Sequence, residues 1–267
     1  MDTRVREYDE HVFIRNFLAF NFFSWEMYMK IKPLLALCRI SNLPTVWMNV
    51  LTAMVLIDYA VPATVQWVWL PVLALALSAF YCGGMVLNDL CDYQWDKQHQ
   101  PYRPLVTGSV SVKTAVIIAI TLFLTGFILV ALTPFALTGL CAAVALFATI
   151  AIYDVFHKKT TASILVMGLA RALVFVVVLM ALTGEWLQWV LIAAVLQFLY
   201  TLSLTFVARY EHMRGKPYTG PVIPRMIAGM AVVDGILLAL VVAPVWLLAG
   251  IALAVLTRFG QRYVRGD

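Results

Sequence analysis

The stretch whose residue types and spacing could do chemistry is Asn88-Asp89-Leu90-Cys91-Asp92-Tyr93-Gln94-Trp95-Asp96. Four residues make about one helical turn, so Asn88, Asp92 and Asp96 stack on one helix face with Asp89 beside them. Three carboxylates that close repel one another unless a cation sits among them. Carboxylates without histidine or thiolate suit a hard ion such as Mg²⁺, which commonly bridges a protein to a substrate phosphate. Asp89, Asp92 and Asp96 are the candidate metal ligands, and Asn88, Asp92 and Asp96 are candidate catalytic residues. The pattern points to a diphosphate held at a membrane surface.

Basic groups follow the acidic ones at once. Lys97 and Arg103 stand in Lys97-Gln98-His99-Gln100-Pro101-Tyr102-Arg103-Pro104-Leu105-Val106-Thr107-Gly108. Acids alone would bind a metal; acids with Lys97 and Arg103 can bind a metal and the diphosphate it bridges. Arginine suits phosphate because its planar fork donates in pairs. Pro104 with Gly108 shapes the turn, and Ser109 or Ser111 can cap the next helix.

The elements that must position these groups are membrane helices. The chain has 267 residues, is 63% hydrophobic and 12% charged, and has a mean hydropathy of +0.90. Several runs reach the roughly 20 apolar residues that a bilayer span needs. Eight spans are predicted, near 42–60, 67–88, 112–132, 134–153, 162–182, 187–207, 222–242 and 244–260. Residues 12–29 are a possible ninth, but Arg15, Asn16, Asn21 and Glu26 favour an amphipathic helix lying on the membrane. The organisation expected is an interfacial segment over 1–34 and a membrane domain over 35–267. The charged opening of the chain does not resemble a cleaved signal peptide.

Charge placement sets the topology. All 19 Lys and Arg residues fall on one side of the eight-span arrangement. The opposite connections carry Asp58, Pro62, Thr133-Pro134, Gly184-Glu185 and Pro244, and no Lys or Arg. By the positive-inside rule both termini are cytoplasmic, in a multi-pass protein of the inner membrane. The net charge of +5 is a topology signal with some affinity for anionic lipid heads. It does not indicate nucleic acid, because no basic stripe sits on a soluble fold. The acids lie on this same basic side. The four cysteines (Cys38, Cys82, Cys91, Cys141) show no metal-ligand spacing and are expected to face other helices as small apolar residues.

Asn-Asp-x-x-Asp-x-x-x-Asp followed by Arg103-Pro104-Leu105 and Gly108 resembles the first signature of the UbiA superfamily of intramembrane prenyltransferases. Cys38-Arg39-Ile40-Ser41-Asn42-Leu43-Pro44 is similar to the Arg-x-x-x-x-Pro with which that family begins its first helix. The run Tyr153-Asp154-Val155-Phe156-His157-Lys158, with Leu202 to Glu211, looks closest to the EboC-like branch. The resemblance covers roughly residues 35–215. It implies an all-α bundle around a central cavity, in which Mg²⁺ and basic residues neutralise a leaving pyrophosphate so that an allylic cation can be captured by an acceptor. It also implies that Arg39, Tyr153 and Lys158 contact the phosphates, although the family's Lys position falls on His157, one residue before Lys158.

The pattern departs from the family at its second acidic motif. The family's acidic positions fall near Thr201, Ala208 and Glu211; only Glu211 is acidic, and the resemblance makes it a further candidate metal ligand. Arg209 stands where a metal would be expected. Three readings stay open: Arg209 replaces the second metal and contacts the diphosphate, with Glu211 orienting it; the substrate carries a different head group; or catalysis has been lost.

Further polar groups fall inside spans. Arg171 and Asp234 are expected either to pair or, for Asp234, to face the cavity, since a charge at the bilayer centre is costly. Asn49 and Gln197 either meet an acceptor or bond helix to helix. Tyr81, Tyr153 and Tyr200 could offer ring faces to a cation. Trp67, Trp69, Trp186, Trp189 and Trp246 read as an interface belt. Three functions follow: transfer of a prenyl group from a prenyl diphosphate to a lipophilic or aromatic acceptor, cyclisation of such a diphosphate, or lipid binding and export without turnover. The CDP-alcohol phosphotransferases are excluded, because Asp234-Gly235 lacks their following Ala-Arg.

Overall fold

The computed structural model describes residues 31–62, 65–156, 163–214, 218 and 220–264. Among these residues the chain is helical throughout. A helical stretch over 31–37 and a 3-10 turn at Ile40–Asn42 lead into α1 (Leu43–Ala60). Then come α2 (Trp69–His99), α3 (Val112–Ala131), α4 (Ala136–Phe156), α5 (Ser163–Leu182), α6 (Gln188–Arg214), α7 (Val222–Val241) and α8 (Trp246–Tyr263). Each predicted span coincides with one helix. Residues 1–30, which hold most of the predicted interfacial segment and the possible ninth span, lie outside the described residues.

Two helices outrun their expected ends. α2 continues to His99 and α6 to Arg214. The 31 residues of α2 make a rod of about 46 Å, against roughly 30 Å of hydrocarbon. The acids lie in its last turns, so they keep helical spacing past the apolar stretch. Seven helices are long and apolar enough to cross a membrane among the described residues. α8 falls short of that measure, with Arg258, Gln261 and Arg262 in its last turns, although it packs along α7.

α1 is the axis of the bundle. It touches α2, α5, α6, α7 and α8, and 78% of its apolar stretch is buried, against 28% for α3 and α4. α3 instead turns Ile117, Ile120, Leu124 and Ile128 outward at helical spacing. Lipid tails accept that apolar stripe without penalty, so packing between helices has to come from shape. Small residues supply it. A Cβ on Gly126 would meet the Phe80 ring at 2.7 Å, and one on Gly250 would meet the Ala231 carbonyl oxygen at 2.6 Å. Phe80 in turn packs on Phe123 and Phe127, closing the wall between α2 and α3.

Trp67, Trp186 and Trp189 are exposed at the end of the bundle opposite the acids. Trp69 and Trp246 pack against the core instead. Cys82 is buried, but Cys91 and Cys141 are exposed, so these two do not face other helices as expected. Position on a helix face, not residue size, decided that.

Candidate active site

Because α2 stays helical to His99, one of its faces turns Asn88, Asp89, Asp92 and Asp96 into the bundle. All four are buried, while Cys91 and Gln94 on the far face are exposed. The turn after α2 then folds back over them. Gln100 Oε1 accepts from Arg103 Nε at 2.7 Å, and Gln100 O accepts from the Arg103 backbone N–H. Leu105 and Val110 bury beneath the turn, and Ser111 caps α3 by accepting from the Thr114 N–H at 3.1 Å. Gly108 supplies the left-handed residue (φ 74°) that the turn requires.

The turn aims the Arg103 guanidinium at the acids. Its Nη1 donates to Asp89 Oδ1 at 2.8 Å and to Asp96 Oδ2 at 2.9 Å. Arg39 reaches Asp89 Oδ1 from the other side at 3.5 Å. Arg39 is the one non-glycine residue with positive φ (46°) among the described residues. That conformation costs roughly 1–2 kcal/mol. Such outliers cluster at functional positions, and this one carries a guanidinium to the acids.

Asn88 Nδ2 donates to Asp154 Oδ1 at 3.1 Å, tying α2 to the end of α4. Asp154 carries no signal in the sequence beyond its place beside Tyr153 at a helix end. Asp154, Asp92, Arg39 and Arg209 all lie close enough to Tyr153 to act electrostatically on its hydroxyl. Four elements therefore converge on one rim.

Beneath the rim is a cavity of about 190 Å³. Arg39, Tyr153 and Asp154 line its mouth, and Asn42, Tyr81 and Arg171 lie among its other polar lining residues. Leu77, Phe80, Leu146, Ile150 and Val174 contribute an apolar wall suited to an isoprenoid chain. Asn42 holds the Tyr81 hydroxyl oxygen at 3.1 Å and is itself held by Gln261 at 3.0 Å, so α8 braces the chamber.

Other predicted residues sit elsewhere. Lys97 is exposed, with its ammonium 4.3 Å from the centre of the Tyr93 ring. Lys158 lies outside the described residues. Arg209 is half-buried near Tyr153, and Glu211 accepts from the Tyr218 backbone N–H at 2.6 Å. Thr201, at the first position of the degraded motif, is buried and lines the cavity.

Arg171 and Asp234 do not pair, and Asp234 does not line the cavity. Asp234 accepts from Asn49 Nδ2 at 2.6 Å and Gln197 Nε2 at 2.7 Å, while Arg171 Nη2 donates to Thr45 Oγ1 at 2.7 Å. Neutral amides from α1 and α6 thus satisfy the buried carboxylate, which removes the need for a cation. Asn49 and Gln197 bond helix to helix. Tyr200 donates to Met226 O at 2.9 Å and is absent from the chamber wall, so its ring is not offered to a cation there.

The acids fit Mg²⁺ in a particular way. No group of three or more His, Cys, Asp or Glu residues among the described residues gathers as a metal cage. Mg²⁺ does not require one; it binds through one or two carboxylates plus substrate phosphates. The donors are oxygen, they share one buried face, and the Arg103 cation already bridges two of them. Asp89, Asp92 and Asp96 fit a metal shared with a diphosphate.

The solved structures similar in fold include one of a digeranylgeranylglyceryl phosphate synthase in membranes, with a TM-score of 0.57 at 18% identity over 88% of this chain and 94% of that one. Another is a UbiA homologue from Archaeoglobus fulgidus bound to DMAPP and Mg²⁺, with a TM-score of 0.53 at 17% identity over 84% and 85%. In sequence the chain is similar to the digeranylgeranylglyceryl phosphate synthase of Sulfurisphaera tokodaii, 30% identical over 55% of this chain and 52% of that protein. It is similar also to that of Metallosphaera sedula, 36% identical over 50% and 47%. The chain spans about half the length of the curated relatives it matches. The UbiA prenyltransferase family itself matches over residues 46–264. That match takes in the acids of α2, the helices that enclose the cavity and α8, and the chain belongs to the UbiA prenyltransferase family.

Proposed function

We propose that this chain ionises a prenyl diphosphate at the rim and transfers the prenyl group to a lipophilic or aromatic acceptor in the cavity, with Mg²⁺ as cofactor. One observation carries the reading: buried acids, meshed with Arg39 and Arg103, stand at the mouth of a largely apolar chamber. Asp89, Asp92 and Asp96 hold the metal. Arg39, Asn88, Arg103, Tyr153, Lys158 and Arg209 take the diphosphate, with Lys97 and Glu211 at the edge of the site. When bound, Mg²⁺ offsets charge on the leaving pyrophosphate. The allylic C–O bond breaks and its electron pair leaves with the pyrophosphate. The acceptor forms the new bond to that carbon and loses a proton.

The relatives named for digeranylgeranylglyceryl phosphate synthesis support an isoprenoid donor. The run from Tyr153 to Lys158 and the stretch from Leu202 to Glu211 support a place near the EboC-like branch. The distribution of Lys and Arg supports cytoplasmic termini in the inner membrane, and the predicted interfacial segment over 1–34 keeps its place in this reading.

Purified protein in detergent, given Mg²⁺ and prenyl diphosphates of several lengths, tests the proposal. Pyrophosphate release that requires an acceptor supports transfer. Release without an acceptor would replace it with cyclisation. Metal-dependent binding without release at any length would leave a lipid-binding role. Asp92→Ala and Asp96→Ala are expected to abolish release and metal dependence; an active double variant removes these acids from the mechanism.

A further inference from the structure

The turn that carries Arg39 is held from outside the site. Arg39 takes its left-handed backbone (φ 46°) immediately before the 3-10 turn Ile40–Asn42, and its carbonyl oxygen accepts from the Asn42 N–H at 3.1 Å. The residue that brings a guanidinium to Asp89 and the residue three positions on are therefore the two ends of one turn. A left-handed arginine persists only where its surroundings fix it. Ser41 and Asn42, both buried, are the parts of the turn that the surroundings grip.

Part of that grip comes from the last turns of α8, a helix none of whose residues lines the cavity. Gly260 lies against Ser41, close enough that a Cβ there would meet Ser41 Cα and Cβ at 3.3 Å. The next residue, Gln261, donates from Nε2 to Asn42 Oδ1 at 3.0 Å and accepts at Oε1 from Arg258 Nη1 at 2.8 Å. A guanidinium can only donate, so Arg258 fixes which end of the Gln261 amide faces it and which faces Asn42. Asn42 is left to donate from Nδ2 to the Tyr81 hydroxyl oxygen on α2, at 3.1 Å. The turn is thus pinned between α8 and the helix that bears the acids. We infer that Gln261 is a positioning residue for prenyl transfer: through Asn42 it holds Arg39 where the diphosphate binds. The ligand in this inference rests on the transfer reading; the tie rests on the geometry alone.

The test is equilibrium binding of geranyl diphosphate with Mg²⁺ to the full chain in lipid nanodiscs. Gln261→Met keeps the bulk and deletes the tie, so affinity should fall about threefold to tenfold, the value of one hydrogen bond. Gln261→Glu should stay within about twofold of wild type, because the Asn42 amide can turn over, donate to the carboxylate and accept from the Tyr81 hydroxyl. In an Arg39→Met background Gln261→Met should change affinity no further, since the arginine it positions is gone. A tie that only steadies the bundle would lower the melting temperature in both backgrounds without producing this pattern. Unchanged affinity in Gln261→Met, a Gln261→Glu variant as weak as Gln261→Met, or an equal loss in the two backgrounds overturns the inference. Where Gln261→Met does not fold, Gly260→Ala reads the same turn, because its Cβ presses on Ser41, and unchanged affinity there overturns it. Wild-type binding that Gln261 does not influence fails this inference alone; a wild type that binds no geranyl diphosphate fails the transfer reading and this inference with it.

Discussion

Replacing Arg103 with Met should convert a self-neutralised site into one that depends on metal for its stability. One nitrogen of Arg103 bridges Asp89 and Asp96 at 2.8 and 2.9 Å, and the three side chains are only 12%, 5% and 1% exposed. Breaking a buried pair by removing one partner costs about 3–5 kcal/mol, because the charges left behind are neither solvated nor paired. Arg39 still reaches Asp89 at 3.5 Å, so the lower end of that range is expected. For a chain of this size about 3 kcal/mol corresponds to a fall in Tm of roughly 6–12 °C. The assay is thermal unfolding in detergent, followed by size-exclusion recovery, with EDTA or with Mg²⁺. In EDTA the variant should unfold well below wild type. Mg²⁺ should recover more of the loss in the variant than it adds to wild type, since the freed carboxylates then accept the ion. Arg103→Lys should fall between, as a point charge without the Nε anchor to Gln100. Equal melting in EDTA, or an equal Mg²⁺ increment in both proteins, would refute the claim that Arg103 balances these acids.

Asp234→Ala strands the Asn49 amide, at about 1–3 kcal/mol, while Gln197 Nε2 keeps its bond to Met230 O at 2.8 Å; a cycle with Asn49→Leu should show strong coupling, and additive losses in unfolding would refute the Asn49–Asp234 tie between α1 and α7. Gly250→Ala should destabilise the α7–α8 contact by about 1–3 kcal/mol, since its Cβ meets the Ala231 backbone oxygen at 2.6 Å; unchanged unfolding would show that the helices shift freely. Asp154→Ala should lower affinity for a prenyl diphosphate in an equilibrium-binding assay by about tenfold, the value of one lost charged hydrogen bond at the rim. Unaltered affinity would make the Asn88–Asp154 bond a helix tie only.

Local pattern was enough to read the helices and the rim. Apolar runs broken by Pro and Gly place the start of each helix within a few residues, because a bilayer forces every backbone polar group into helical bonding. Helical spacing of Asn88, Asp92 and Asp96 likewise sets them on one face before any tertiary contact forms. The length of α2 and α6 was not legible, since polar residues past a span look the same in a loop and in a helix that tertiary contacts support.

What the sequence determined by itself is the membrane bundle and an acid face on a helix end, both consequences of periodicity and composition. What only the tertiary structure decided is partnership. Arg103 belongs to Asp89 and Asp96, Asp154 joins Asn88, Asp234 is satisfied by amides rather than by Arg171, and Arg171 is left facing the cavity. Hydrogen bonds need contact within about 3 Å, and Asn88 and Asp154, 66 positions apart, or Asn49 and Asp234, 185 apart, reach that range only through helix packing.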